Sequence, residues 1–256
     1  NKLKQEFVLE KINNTNWDSG NSGPLVIELD PTAVCDLACP GCISEDLVSI
    51  GNSFSNDRLM EIGEEFIECG VKAVILIGGG EALAHPKTGD LISLLGENDI
   101  HIGITTNGSF IHKFIDPIAQ YSQWTRVSMD ASTDEMFTVV RPTKGGKSKY
   151  QKIVENMRML SKVKKGVMGF SYLIQSEADG IGIKSNVHEI YDAAVLAKDI
   201  GCDYFEVKPT YQFREDAVHK LMKHDQKLMD EAKKQIELLD ALEDNNFKIL
   251  KAINLK

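Results

Sequence analysis

The chain has 256 residues, a net charge of −9 and a hydrophobic fraction of 42%, which suits one packed domain with its own core. Its apolar residues are dispersed, with no run of eighteen to cross a bilayer, and no long basic stripe matches a phosphate backbone. A membrane span and a nucleic-acid substrate are therefore disfavoured. No signal peptide is visible, so the expected location is the cytoplasm, although the sequence starts at Asn1 rather than at methionine.

In chain order, residues 1–23 read as a polar lead-in, with 13–24 a loop. Residues 25–29 form a short apolar strand. The loop leaving it carries Cys35-Asp-Leu-Ala-Cys39-Pro-Gly-Cys42, three thiols within eight residues. Three thiolates so spaced can wrap one face of an iron–sulfur cube, which normally takes four. An iron left open is a place for a ligand. Zinc and inert thiols remain as alternatives, but a structural zinc closes with four ligands, and Cys69 and Cys202 are isolated. A disulfide uses thiols in pairs and would be strained on so tight a loop.

An amphipathic helix is predicted at 57–69, with Leu59, Ile62, Phe66 and Ile67 on one side. The strand at 71–77 empties into Gly78-Gly79-Gly80-Glu81, bare backbone that can approach a ligand, with a charged acceptor at its rim. Further strands are expected near 100–105, 124–129, 167–174 and 203–208. Helices are expected near 88–97, 110–120, 148–163, 186–200 and 216–243, and a last strand at 247–255. Such alternation argues for a parallel sheet flanked by helices. Tyr150, Ile153, Met157 and Leu160 recur at helical spacing and read as core. His85 reads as a turn residue, and the other five histidines as structural or surface groups.

Side chains alternate across a strand. Arg126, Ser128 and Asp130 thus share one side, as do Tyr204, Glu206 and Lys208, and Glu28 with Asp30. The apolar residues opposite them should pack on helices. The polar set then lines an interior, where it either binds a ligand or satisfies itself in ion pairs.

Taken in order, the cysteine triplet, Gly78–Glu81, Thr105-Thr-Asn107-Gly, Arg126-Val-Ser128-Met-Asp130 and Arg141 resemble the radical S-adenosylmethionine (SAM) superfamily. The resemblance covers roughly residues 24–210. It implies an α/β fold, a partial (β/α)6 TIM-like barrel spanning 24–215, followed by a C-terminal helix and strand at 216–256. It further implies that Cys35, Cys39 and Cys42 hold a [4Fe–4S] cluster whose open iron is chelated by the methionine amino and carboxylate groups of SAM. Reduction would cleave SAM to a 5′-deoxyadenosyl radical, which removes a hydrogen atom from an unactivated carbon. By the same resemblance Gly78, Gly79 and Gly80 meet the SAM amino group, with Glu81 holding the turn. Asn107, Ser128 and Asp130 belong to the SAM site, and Arg141 pairs with the methionine carboxylate, a role that suits a guanidinium fork. Two positions depart from the family pattern: Gly41 where an aromatic residue is frequent, and Ala82 where proline is common.

The charged interior points first to a small polar substrate, such as a sugar, aminocyclitol or sugar nucleotide. Lys208 and Glu206 are then the candidate catalytic groups, with Glu28 and Arg214 nearby. The alternative is a peptide- or protein-modifying enzyme, whether epimerase, maturase or activating enzyme. A noncatalytic metal-binding module is a third reading, which the intact Gly78–Glu81 and Arg141 disfavour. An electron donor such as flavodoxin or ferredoxin is the expected partner, and the loops at 142–148 and 177–185 are expected to shape the entrance. Many members of the family continue into a cysteine-rich region with auxiliary clusters. Cys69 and Cys202 are too few and too separated to hold one.

Overall fold

The computed structural model describes residues 6–16, 18–19, 23–175, 185–209, 211–212, 220–221 and 226–252. The six predicted strands are present as β1 (Val26–Leu29), β2 (Ala73–Leu76), β3 (His101–Thr106), β4 (Ser122–Ser128), β5 (Val167–Ile174) and β6 (Tyr204–Pro209). The two-residue strands β7 (Tyr211–Gln212) and β8 (Lys220–Leu221) pair antiparallel. Strand β9 (Lys248–Lys251) adds to β6, giving one sheet of order β1-β2-β3-β4-β5-β6-β9. Every pairing in this sheet is parallel, and β1 and β9 form its edges. The expected barrel therefore gains a seventh strand.

The helices among the described residues are α1 (Glu6–Asn14), α2 (Glu45–Ile50), α3 (Asn56–Glu68), α4 (Thr88–Glu97), α5 (Ile115–Tyr121), α6 (Asp134–Val140), α7 (Tyr150–Ser161), α8 (Ile190–Ile200) and α9 (Gln226–Leu238). Local chemistry sets several ends. Ser55 Oγ accepts from the Arg58 N–H to open α3, and Gly70 follows its end at φ +66°, a left-handed conformation that suits glycine. Within the polar lead-in, residues 6–14 form the helix α1, whose last two residues fall in the segment expected as loop. Of the helix expected from 216, the described part is α9, Gln226–Leu238, while residues 220–221 pair in the β7–β8 ladder instead. Asp216, Arg214 and most of the 177–185 loop lie outside the described residues.

The outward faces of the strands build the core. Val74, Leu76, Ile102, Ile104, Val127, Phe170, Phe205 and Val207 are fully buried, together with Leu59 of α3, Leu91 of α4 and Ile190 of α8. Each such side chain contributes about 1.5–3 kcal/mol. Tyr150, Ile153, Met157 and Leu160 of α7 all belong to this core.

The inward faces differ. Gly103 of β3 is paired with Trp124 of β4, and a Cβ on Gly103 would stand 2.2 Å from the indole. Gly169 of β5 is paired with Tyr204 of β6, and a Cβ there would stand 1.9 Å from the phenol ring. Two large rings thus lie flat over neighbouring glycines and floor the lumen near the N-terminal ends of the strands. Polar side chains occupy the levels above, toward the C-terminal ends, where parallel α/β barrels carry their sites.

Candidate active site

The loop from β1 to α2 is pinned on both sides of the first cysteine. The Ala33 N–H donates to the Asn52 carbonyl at 2.7 Å, the Val34 N–H to Thr32 Oγ1 at 3.0 Å, and the Ala38 N–H to the Pro142 carbonyl at 2.6 Å. Between Cys39 and Cys42 the chain closes a tight turn, the Cys42 N–H donating to the Cys39 carbonyl at 3.2 Å, with Gly41 at φ +65°. An aromatic residue in place of Gly41 would be strained in that backbone.

The three cysteines line one cavity of about 250 Å³. Gly78, Gly79 and Gly80 form another wall, and Thr105, Asn107, Ser128 and Arg141 complete it from β3, β4 and the segment after α6. All three are free thiols and partly buried. Burial, helped by the Asp36 and Glu81 carboxylates, pushes the Cys35 thiol up to about 11. Burial raises Cys39 as well, against the pull of Arg141. Thiols so raised stay protonated at neutral pH, and metal binding must displace those protons.

The glycine turn is built around the cysteine loop. The Glu81 N–H donates to the Val34 carbonyl at 2.9 Å. A Cβ on Gly80 would sit 2.4 Å from the Ala33 carbonyl carbon and 2.5 Å from the Val34 oxygen. Gly79 donates its N–H to Asp30 Oδ2, and Asp30 Oδ1 is buried with no hydrogen-bond partner among the described residues.

Glu81 is buried and serves the turn with both oxygens. Oε1 accepts from Thr106 Oγ1 at 2.5 Å and from the Leu83 N–H at 3.1 Å, while Oε2 accepts from the Asn107 N–H at 2.6 Å. Burial outweighs these donors and lifts its pKa to about 7. Asn107 continues the network, its Nδ2 donating to Asp36 Oδ1 at 2.8 Å and lying 3.9 Å from Cys35 Sγ. Asp36 also pairs with Lys149.

Asp130 and Arg141 act as a unit. Asp130 adopts φ +57° and is almost fully buried. Its Oδ2 accepts from Arg141 Nε at 2.8 Å and lies 2.5 Å from Nη2 in an ion pair, and its Oδ1 accepts from the Leu173 N–H at 2.7 Å. The guanidinium is thereby aimed at the cavity, with Nη1 3.9 Å from Cys39 Sγ. Asp130 itself stands behind Arg141, its oxygens already engaged, while Ser128 faces the cavity.

Over the residues 29–180 the chain matches the family model described as the radical SAM superfamily. The chain belongs to that superfamily. It is 31% identical over 133 residues to a probable GTP 3′,8-cyclase of Archaeoglobus fulgidus, covering 52% of this chain and 43% of that protein. It is 23% identical over 230 residues to the antilisterial bacteriocin subtilosin biosynthesis protein AlbA of Bacillus subtilis, covering 84% of this chain and 48% of the other. Streptococcus suis SuiB bound to precursor peptide SuiA has the same fold, with a TM-score of 0.65 and 16% identity over 98% of this chain and 54% of that one. SuiB bound to S-adenosylmethionine matches equally well in TM-score. The chain spans about half the length of these relatives.

Members of this superfamily are enzymes whose cofactors are a [4Fe–4S] cluster and SAM, and the cavity fits both. Three soft thiols on one wall suit iron–sulfur ligation. The glycine turn packs its bare Cα faces against Asp30, Leu47 and the Ala33–Val34 backbone, which leaves its main chain on the cavity wall beside the thiols. Arg141, held by Asp130, is a matching fork for a carboxylate.

Lys208 and Glu206 lie elsewhere, on the lumen face of β6. They bond to each other at 3.0 Å, and Glu206 also accepts from Arg126 Nη1 at 3.4 Å. His85 bridges the Phe54 carbonyl and the Lys87 N–H and is buried, as a turn residue should be. Sequence reasoning missed Thr106, Asp36 and Lys149. A carboxylate after a glycine turn needs donors, so Thr106, two residues past a strand centre, was the readable signal. Nothing local pairs residue 36 with residue 149.

Proposed function

We propose that this enzyme generates a 5′-deoxyadenosyl radical and uses it to abstract a hydrogen atom from a peptide or protein substrate. The radical chemistry rests on one observation: Cys35, Cys39 and Cys42 share a cavity with the Gly78–Gly80 backbone and the Arg141 guanidinium. When bound, the reduced cluster supplies the electron that breaks the SAM C5′–sulfur bond. The protein holds the reactants. The thiols bind iron, the glycine turn receives the amino group, Arg141 takes the carboxylate, and Asp30 and Glu81 hold the turn in place. The buried Leu37 and half-buried Val48 on the cavity wall help keep water from the radical.

For the substrate, a sequence alignment covering 84% of the chain is with a bacteriocin biosynthesis protein, and a fold match reaching 98% of the chain is to a protein bound to its precursor peptide. Both favour a peptide over a free sugar. A small anionic metabolite is the second reading, supported by the shorter but more identical match to a nucleotide cyclase and by the charged lumen.

The test is anaerobic. The protein is reconstituted with iron and sulfide, reduced with dithionite and given SAM, and 5′-deoxyadenosine is followed by mass spectrometry beside an iron count. About four irons per chain with 5′-deoxyadenosine formed supports the radical reading. Bound zinc with SAM intact would overturn it. Candidate precursor peptides that raise 5′-deoxyadenosine and change mass would support the peptide assignment, and stimulation by nucleotides alone would replace it with the second reading.

A further inference from the structure

Arg126, Glu206 and Lys208 form a cationic constellation in the lumen. β5, which runs between their strands, sets Gly169 opposite Arg126, Ser171 opposite Glu206 and Leu173 opposite Lys208. At the Glu206 level β5 presents only the small Ser171 side chain, and side chains from β4 and β6 meet over it. Arg126 Nη1 and Lys208 Nζ both converge on Glu206 Oε2, at 3.4 Å and 3.0 Å. Arg126 Nη2 also donates to Thr105 Oγ1 at 3.3 Å, and its guanidinium carbon lies 6.0 Å from the centre of the Trp124 ring.

Two cations thus share one carboxylate, and among the described residues a single oxygen of it takes both. The ammonium has three donors and the guanidinium five, so among the described residues most of their capacity is unspent. The three side chains are neither buried nor free, at 27%, 21% and 30% exposure for Arg126, Glu206 and Lys208. A fully buried excess cation would carry a heavy desolvation cost, and a surface one would be screened. A half-buried pair with one shared counterion, above an aromatic floor, is arranged to take a second anion.

We propose that Arg126 and Lys208 form an oxyanion subsite that anchors an anionic group of the substrate, and that Glu206 is the internal anion competing for the same two cations. This assignment rests on the reading that the substrate occupies the lumen. It removes Glu206 from the catalytic role expected from sequence and makes it a gauge of subsite charge. The recognised chemistry is a carboxylate or phosphate: an acidic side chain or C-terminus on a peptide, or the phosphate of a metabolite.

Isothermal titration of the reconstituted, SAM-loaded enzyme at fixed ionic strength tests this with three probes: inorganic phosphate, N-acetylglutamate 1-amide with its one carboxylate, and neutral N-acetylglutamine amide. Saturable binding of one or both anions, and none of the neutral probe, is expected. The tighter anion identifies the source. Lys208→Met and Arg126→Gln should each weaken anion binding by about ten-fold. Glu206→Gln should tighten it several-fold, a change of sign that mere structural damage does not produce. No saturable anion binding, or weakening in Glu206→Gln as well, overturns the proposal. Formation of 5′-deoxyadenosine, read on the same preparations, separates the two ideas. Cleavage without anion binding sinks the subsite alone, and anion binding without cleavage keeps the subsite and sinks the radical reading.

Discussion

Gly80→Ala should damage the cluster site through the backbone alone. The added methyl would stand 2.4 Å from the Ala33 carbonyl carbon and 2.5 Å from the Val34 oxygen, against about 3.5–4.0 Å for a relaxed carbon contact. The two chains must part by about 1 Å. Neither atom belongs to a side chain that can swing away, and the segment is tied down at Ala33 and Val34 by hydrogen bonds. Overpacking costs about 1–3 kcal/mol when side chains can adjust, so a backbone clash belongs at the upper end, about 3 kcal/mol. Because Val34 immediately precedes Cys35, the displacement is passed to the first thiol. Urea unfolding of the apoprotein and iron counted after reconstitution measure the two effects. Gly145→Ala is the control, since a Cβ there meets nothing within 4 Å, and it should stay within about 0.5 kcal/mol of the parent. A Gly80→Ala protein equal to Gly145→Ala in both stability and iron would refute the reasoning.

Cys35→Ala, Cys39→Ala and Cys42→Ala should each abolish 5′-deoxyadenosine formation and lower the iron count, whereas Cys69→Ala, at an exposed thiol, should do neither; an essential Cys69 would reassign the ligands. Asp130→Asn leaves the Arg141 charge without its buried partner and should cost about 3 kcal/mol in urea unfolding, with weaker SAM binding by equilibrium dialysis; unchanged values in both would disprove the pairing. Glu81 has a folded pKa of about 7 against an ordinary 4.5, so the native state holds its proton longer than the unfolded chain and stability falls as pH rises between these values. Measured against Glu81→Gln, the parent apoprotein should lose about 3 kcal/mol of relative stability from pH 4.5 to pH 7.5, and a flat difference would contradict the burial argument.

Much of the fold was legible because long β and α segments leave a periodic trace. The alternation in 124–129 and 203–208 gave the faces of β4 and β6, and the buried Val127, Phe205 and Val207 bear this out. Helix α2 left no such trace, because six residues with none buried have no apolar face to repeat. Helix α6 did carry a signal in Thr133 followed by Asp134 and Glu135, and Thr133 Oγ1 accepts from the Met136 N–H at 3.2 Å. From 216 to 243 the charged, periodic run reads as one helix, since two residues of ladder at 220–221 cannot announce themselves. In the site, the types and order of Cys35, Cys39, Cys42, Gly78–Glu81 and Arg141 were readable, but their partners were not. Asp130 meets Arg141 where α6 returns over the end of β4, and Asp36 meets Lys149 where the β1–α2 loop reaches the segment before α7, contacts that no local pattern encodes. The close approach of Gly80 to Ala33 is a property of two loops meeting, visible only once both are folded.

The rings of Trp124 and Tyr204, lying over Gly103 and Gly169, act as depth stops for the lumen. Each glycine cedes its place to a ring from the neighbouring strand, so aromatic bulk fills the level beneath Arg126 and Glu206. A side chain at either glycine would have to displace the ring over it. The height at which the polar groups stand is thus governed by two residues that carry no side chain at all.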